Sequence, residues 1–151
     1  MIGLDQHILS IANQINKPIT NLQLQKIWYF TLGYLIKSNQ IKLAKIEFKK
    51  SNLEAWLYGP VVPSIHYKYK NFKSFPINDK GSIITQFNQS DINKFIKKLI
   101  NINVFILIEL SHQHKFWQDY EHQIKYATNK PKYQFKDIIY AFKDQKASIY
   151  F

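Results

Sequence analysis

The stretch LEAWLYGPVVPSIHYKY, residues Leu53 to Tyr69, switches period half-way. Leu53-Glu54-Ala55-Trp56-Leu57 alternates as a strand does, and Tyr58-Gly59-Pro60 breaks it. From Val61 onward Ile65, Tyr69 and Phe72 fall on one helical face, which predicts a helix over Val61 to Phe72 with Pro60 and Pro63 tolerated in its first turn. A strand running straight into a helix sets the class as α+β.

Working upstream, Ile46-Glu47-Phe48 reads as a partner strand, with Lys49 to Asn52 as the turn. Thr20 and Gln23 fit a capping box. The helix they start, running to about Ser38, is apolar on nearly all sides and is expected to be buried and central. A first helix spans about Asp5 to Asn16 and ends before Pro18. Downstream, Ile83 to Phe87 is a candidate third strand. Helices follow from Ser90-Asp91 through Ile100, over Val104 to His112, over Trp117 to Ile124, and from Phe135 to Lys143. The expected fold is a predominantly α, multi-helix α+β domain. It has six or seven helices and a small antiparallel hairpin or three-stranded sheet between the second and third of them. The whole length, 1–151, is expected to be one domain.

The chain is 46% hydrophobic and 16% aromatic, enough for a core and too apolar for disorder. It has no cysteine, which excludes disulfides and thiolate metal sites and suggests a reducing compartment. No basic leader followed by an apolar run opens it, and Val104 to Ile108, its longest apolar run, is too short to span a bilayer. A cytoplasmic protein with no membrane partner is the expectation. The net charge is +11, and every one of the 21 basic residues is Lys. Such a balance suits an acidic partner, but the absence of Arg, the side chain that forks onto guanine and phosphate, argues against nucleic acid.

No catalytic constellation stands out. There is no nucleophile elbow, phosphate loop or dinucleotide fingerprint. Glu109, His112, His114, Asp119, Glu121 and His122 cluster in sequence, yet not at a recognised metal spacing, and His112 is equally a local hydrogen-bonding residue that orients Trp117. The first two helices have a helix-turn-helix outline, but the second shows Trp28, Phe30, Leu32 and Leu35 where a recognition helix needs polar side chains. Neither an enzyme nor a cofactor is expected.

Three segments resemble a known family. Leu24-Gln25-Lys26-Ile27-Trp28-Tyr29-Phe30 resembles the "LQKLLYF" helix of the Panacea domain, also called the SocA-like or phage-associated GepA-like domain. Glu54 to Pro63 resembles its "EAWxYGPVVP" hallmark, and Leu110-Ser111-His112 with Trp117 resembles a later segment. The order and spacing agree over nearly the whole chain. Two positions depart from the pattern: His66 stands where a Tyr is usual, and Phe116 where Pro is common before the late Trp. The matching positions Leu24, Gln25, Lys26, Tyr29, Phe30, Trp56, Gly59, Pro60, Val61, Pro63, Tyr69, His112 and Trp117 are read as structural.

The resemblance implies an antitoxin that binds a cognate protein toxin directly. The alternatives are an adaptor that delivers the toxin to a AAA+ protease and, from the charge alone, a nucleic-acid binder. Tyr58, His66, Tyr67, Lys68 and Lys70 are the candidate partner-binding residues, since exposed aromatics dominate binding hot spots. Specificity is expected above all at His66, where the family pattern is broken.

Overall fold

A computed structural model describes residues 1–145. Within them the chain forms α1 (Leu4–Gln14), α2 (Asn21–Lys37), α3 (Ile41–Lys49), β1 (Glu54–Trp56), β2 (Gly59–Val61), α4 (Pro63–Tyr69), α5 (Ser90–Ile100), α6 (Val104–His112), α7 (Lys115–Asp119), α8 (Glu121–Tyr126) and α9 (Phe135–Ile139). Short 3-10 turns cover Lys70–Phe72 and Thr85–Phe87, and α9 runs on as one wider π turn over Tyr140–Asp144. The architecture is α+β and predominantly α. No described helix is long and apolar enough to cross a membrane.

Helix α2 is the hub. It is buried along most of its length and packs against α1, α3, α4, α5, α6, α9 and the hairpin. Its start is fixed by the full capping box: the Thr20 hydroxyl accepts from the Gln23 amide and the Gln23 side chain accepts from the Thr20 amide. Gly33 leaves room on α2 for the Phe142 ring, which stands where a Cβ would be, within 2.3 Å. A single connected cluster of apolar side chains surrounds the helix.

The sheet has two strands, paired antiparallel with Glu54 opposite Val61 and Trp56 opposite Gly59. Neither of its edges is free. On β1, the Ala55 amide donates to Pro131 O at 2.8 Å and Tyr133 N–H donates to Leu53 O at 2.9 Å. Beside β2, the Pro60 carbonyl and the Val62 amide are taken by side chains of α2.

Several expectations are corrected. Residues 46–48 are not a strand but lie in α3, so the hairpin falls between the third and fourth helices, with Leu57 and Tyr58 at its tip. The apolar Ile46 that suggested alternation is a surface residue, and helical spacing instead buries Ala44 and Glu47. Glu47 must point inward because its carboxylate accepts from the amides of Ile2, Gly3 and Leu4 and from Trp28 Nε1. It closes the N-terminus of α1, where a negative charge also suits the helix dipole.

Ile83–Phe87 adds no strand. It is tied to α1 by isolated bonds, Ile84 N–H to His7 Nδ1 and, just before it, Ser82 N–H to Gln6 O, and Phe87 drops into the core. Tyr58-Gly59-Pro60 does not end the sheet: Gly59–Val61 turns back to pair with β1, so the helix expected over Val61 to Phe72 begins only at Pro63, and it tightens into a 3-10 turn after Tyr69. The segment expected as one helix over 117–124 is two, parted at Tyr120 (φ −110°, ψ 8°). The described residues thus hold nine helices rather than six or seven.

Candidate functional site

The three motif segments meet in one buried polar seam beneath the hairpin. Gln25 Oε1 accepts from the Val62 amide at 2.8 Å, and Gln25 Nε2 reaches back to Asn21 Oδ1 at 3.3 Å. Asn21 in turn donates to His66 O at 3.0 Å. Lys26, the next residue of α2, donates from Nζ to Pro60 O at 2.9 Å. These bonds replace the strand partner that β2 lacks, so α2 holds the hairpin by its backbone.

Lys26 is fully buried and carries no carboxylate partner among the described residues, so desolvation pulls its ammonium down to about 7. Gly59 sits directly above with φ +101°; a Cβ there would meet Ser111 Oγ at 2.5 Å and Lys26 Cε at 3.2 Å. Glycine is required by both the left-handed backbone and the contact. Ser111 Oγ bonds to Ile108 O at 2.7 Å and is as sealed as Lys26. A weakly basic amine near a hydroxyl is a catalytic pairing in principle, but here no substrate reaches either group.

The late segment locks the hairpin from the other side. Trp117 Nε1 donates to Trp56 O at 2.9 Å. The His112 ring stacks on Trp117 at 3.6 Å between centroids and 13° between planes. Burial, only partly offset by the bond to the Leu57 backbone, pulls His112 down to about 4, and its buried Nε2 has no partner among the described residues. His114, two residues on, hydrogen-bonds Tyr29 OH at 2.7 Å and is likewise held neutral, down to about 4, by burial. Phe30 and Leu24 are core, Tyr69 is buried against α1 through Gln6, and Pro63 opens α4. The His and carboxylate residues clustered in sequence are scattered: Glu109 and His122 face out while His112 and His114 turn in. No group of three or more among the described residues could hold a metal.

Above the seam lies an open groove of about 650 Å³. Leu22, Val61 and Ile124, with the more exposed Leu57 at the hairpin tip, form its apolar part. Trp56, Tyr58 and His66 bring aromatic surface to it, and Lys70, Lys73, Lys125 and Lys130 line it too; no carboxylate does. Trp56, expected to be structural, is half-buried and serves both: its backbone is part of the seam and its ring faces the groove. Lys130 Nζ lies 4.1 Å over the Trp56 ring centroid, a cation–π pair, while His66 meets the same indole edge-on at 4.9 Å. Partial burial and then the charges of Lys130, Lys70 and Lys26 lower the His66 imidazole from its ordinary value.

Of the five candidate partner-binding residues, the groove gathers Tyr58, His66 and Lys70. Tyr67 lies outside it, its ring edge-on to His66. Lys68 points elsewhere, towards Asp5 at 3.6 Å. The sequence reading missed Leu22, Lys73, Ile124, Lys125 and Lys130. They come from three segments distant in sequence, the start of α2, the turn after α4 and the end of α8 with the residues that follow it, which only the tertiary fold brings together. No protein-family model matches this chain, and no curated protein and no solved structure matches it either.

Proposed function

We propose that this chain is an antitoxin that neutralises a cognate protein toxin by direct binding, with the groove over the hairpin at the centre of the contact. The observation that supports this reading most is the division of the motif region into two layers. The polar side chains that could do chemistry, Lys26, Ser111 and His114, are sealed below, and the layer above offers an apolar floor with exposed aromatic and cationic residues. That is the composition of a binding hot spot rather than of an active site. A stable interface buries about 1,600 Å² in total, so the groove would be the anchor of a wider contact.

Coexpression with the product of the neighbouring gene tests the reading. The expected result is that the neighbour arrests growth alone and that this chain restores it while forming a complex recoverable from the cells. A harmless neighbour, or one that stays toxic beside this chain, removes the proposal.

A further inference from the structure

The groove also constrains what enters it. Strand addition is closed off, because Pro131 and Tyr133 cover the free side of β1 and α2 side chains take the polar groups beside β2. Recognition must therefore run through side chains. A nucleic-acid strand fits poorly: Lys130 covers the Trp56 indole and His66 abuts it, which leaves Tyr58 as the one well-exposed ring of the groove among the described residues, where single strands are bound by stacking successive bases on several.

Charge then selects among peptides. Four lysines and no carboxylate line the groove. Lys125 is neutralised by Glu121 at 2.8 Å, and Glu54, just behind, is engaged with Trp56 Nε1 at 2.8 Å. Lys70, Lys73 and Lys130 form no ion pair with the described residues. A partner reaching the apolar floor must pass these cations, and carboxylates beside its anchor would be steered in and paired.

We infer that the groove receives an acidic peptide segment of the partner protein, with one apolar side chain seated on Leu22, Val61 and Ile124 and Asp or Glu residues on either side of it. The volume of about 650 Å³ suits a few side chains. The inference rests on reading the chain as a partner-binding protein and specifies the chemistry of that partner.

The test is selection of a random peptide display library on the full chain, followed by affinity measurement of the best sequence. Selected peptides carry an excess of Asp and Glu around one Leu, Ile, Phe or Trp. Paired Lys70→Glu and Lys130→Glu substitutions, at exposed positions that leave the fold intact, weaken binding at least about tenfold, and Lys130→Gln weakens it less. Paired Lys42→Glu and Lys45→Glu substitutions, on α3 and outside the groove lining, carry the same change of net charge and leave affinity unchanged. Selection without acidic enrichment, survival of binding in the paired groove reversal, equal loss from the paired α3 reversal, or displacement of the peptide by single-stranded oligothymidylate each overturns the inference. No toxin takes part in the selection, so its failure leaves growth rescue standing. Loss of rescue with peptide binding intact would instead remove only the antitoxin reading.

Discussion

Lys26 is the residue where the fold and its acid–base chemistry are most tightly joined. Its ammonium is held at about 7 against an ordinary value of 10.5, with burial as the cause. In the unfolded chain the amine stays protonated up to its ordinary value, so between these two pH values the unfolded state holds a proton that the folded state lacks. Stability must then rise with pH across that window, by up to about 1.4 kcal/mol per unit. Above about pH 10 the buried tyrosines Tyr29 and Tyr133, whose hydroxyls are pushed up by burial, oppose the trend. Urea unfolding at pH 7, 8 and 9 should therefore show a rising stability for the natural chain and a flatter profile for Lys26→Met. Equal slopes in the two proteins would mean that Lys26 is charged when folded. In the sequence Lys26 is one lysine among 21; its motif marked it as structural, but its lone bond to Pro60 O is visible only once the hairpin is in place.

At the scale of elements, legibility followed the period of the apolar residues. The helix α2 and its capping box were readable because every signal agreed locally, and so was the strand through Ala55; Gly59-Pro60, expected to break that strand and open a helix at Val61, instead forms its partner β2, since a Gly-Pro pair gives no local sign of strand pairing. Residues 41–49 misled because Ile46 and Phe48 mimic a strand, whereas Glu47 is buried to serve a helix end more than forty residues away. No local pattern announces such a partner. The consequence is measurable. In Glu47→Ala the three amides at the start of α1 and the Trp28 indole lose their acceptor, so the protein should lose about 3 kcal/mol in urea or thermal unfolding. A loss under about 0.5 kcal/mol, as expected of a surface position, would return residues 46–48 to the solvent-facing strand that their alternation suggested.

At the scale of the molecule, two layers built on one hairpin account for the proposed activity. The lower layer fixes the backbone of residues 54–63 from both sides, through α2 and through Trp117. The upper layer is thereby presented rigidly, and a preorganised surface loses less on binding. Part of the candidate site was legible: Tyr58, His66 and Lys70 sit in or just after the motif that carried the resemblance. The rest, including Ile124 and Lys130, was not, because those two are delivered by a chain turn whose position depends on the whole core. The most direct test of partner binding through this groove is amide hydrogen exchange on the purified complex with the neighbouring gene's product. The account predicts slowed exchange at residues 56–58, at His66 and across residues 124–130, with α3 unchanged. Protection confined to α3 or to the far face of the molecule, with these segments exchanging as in the free protein, would contradict it.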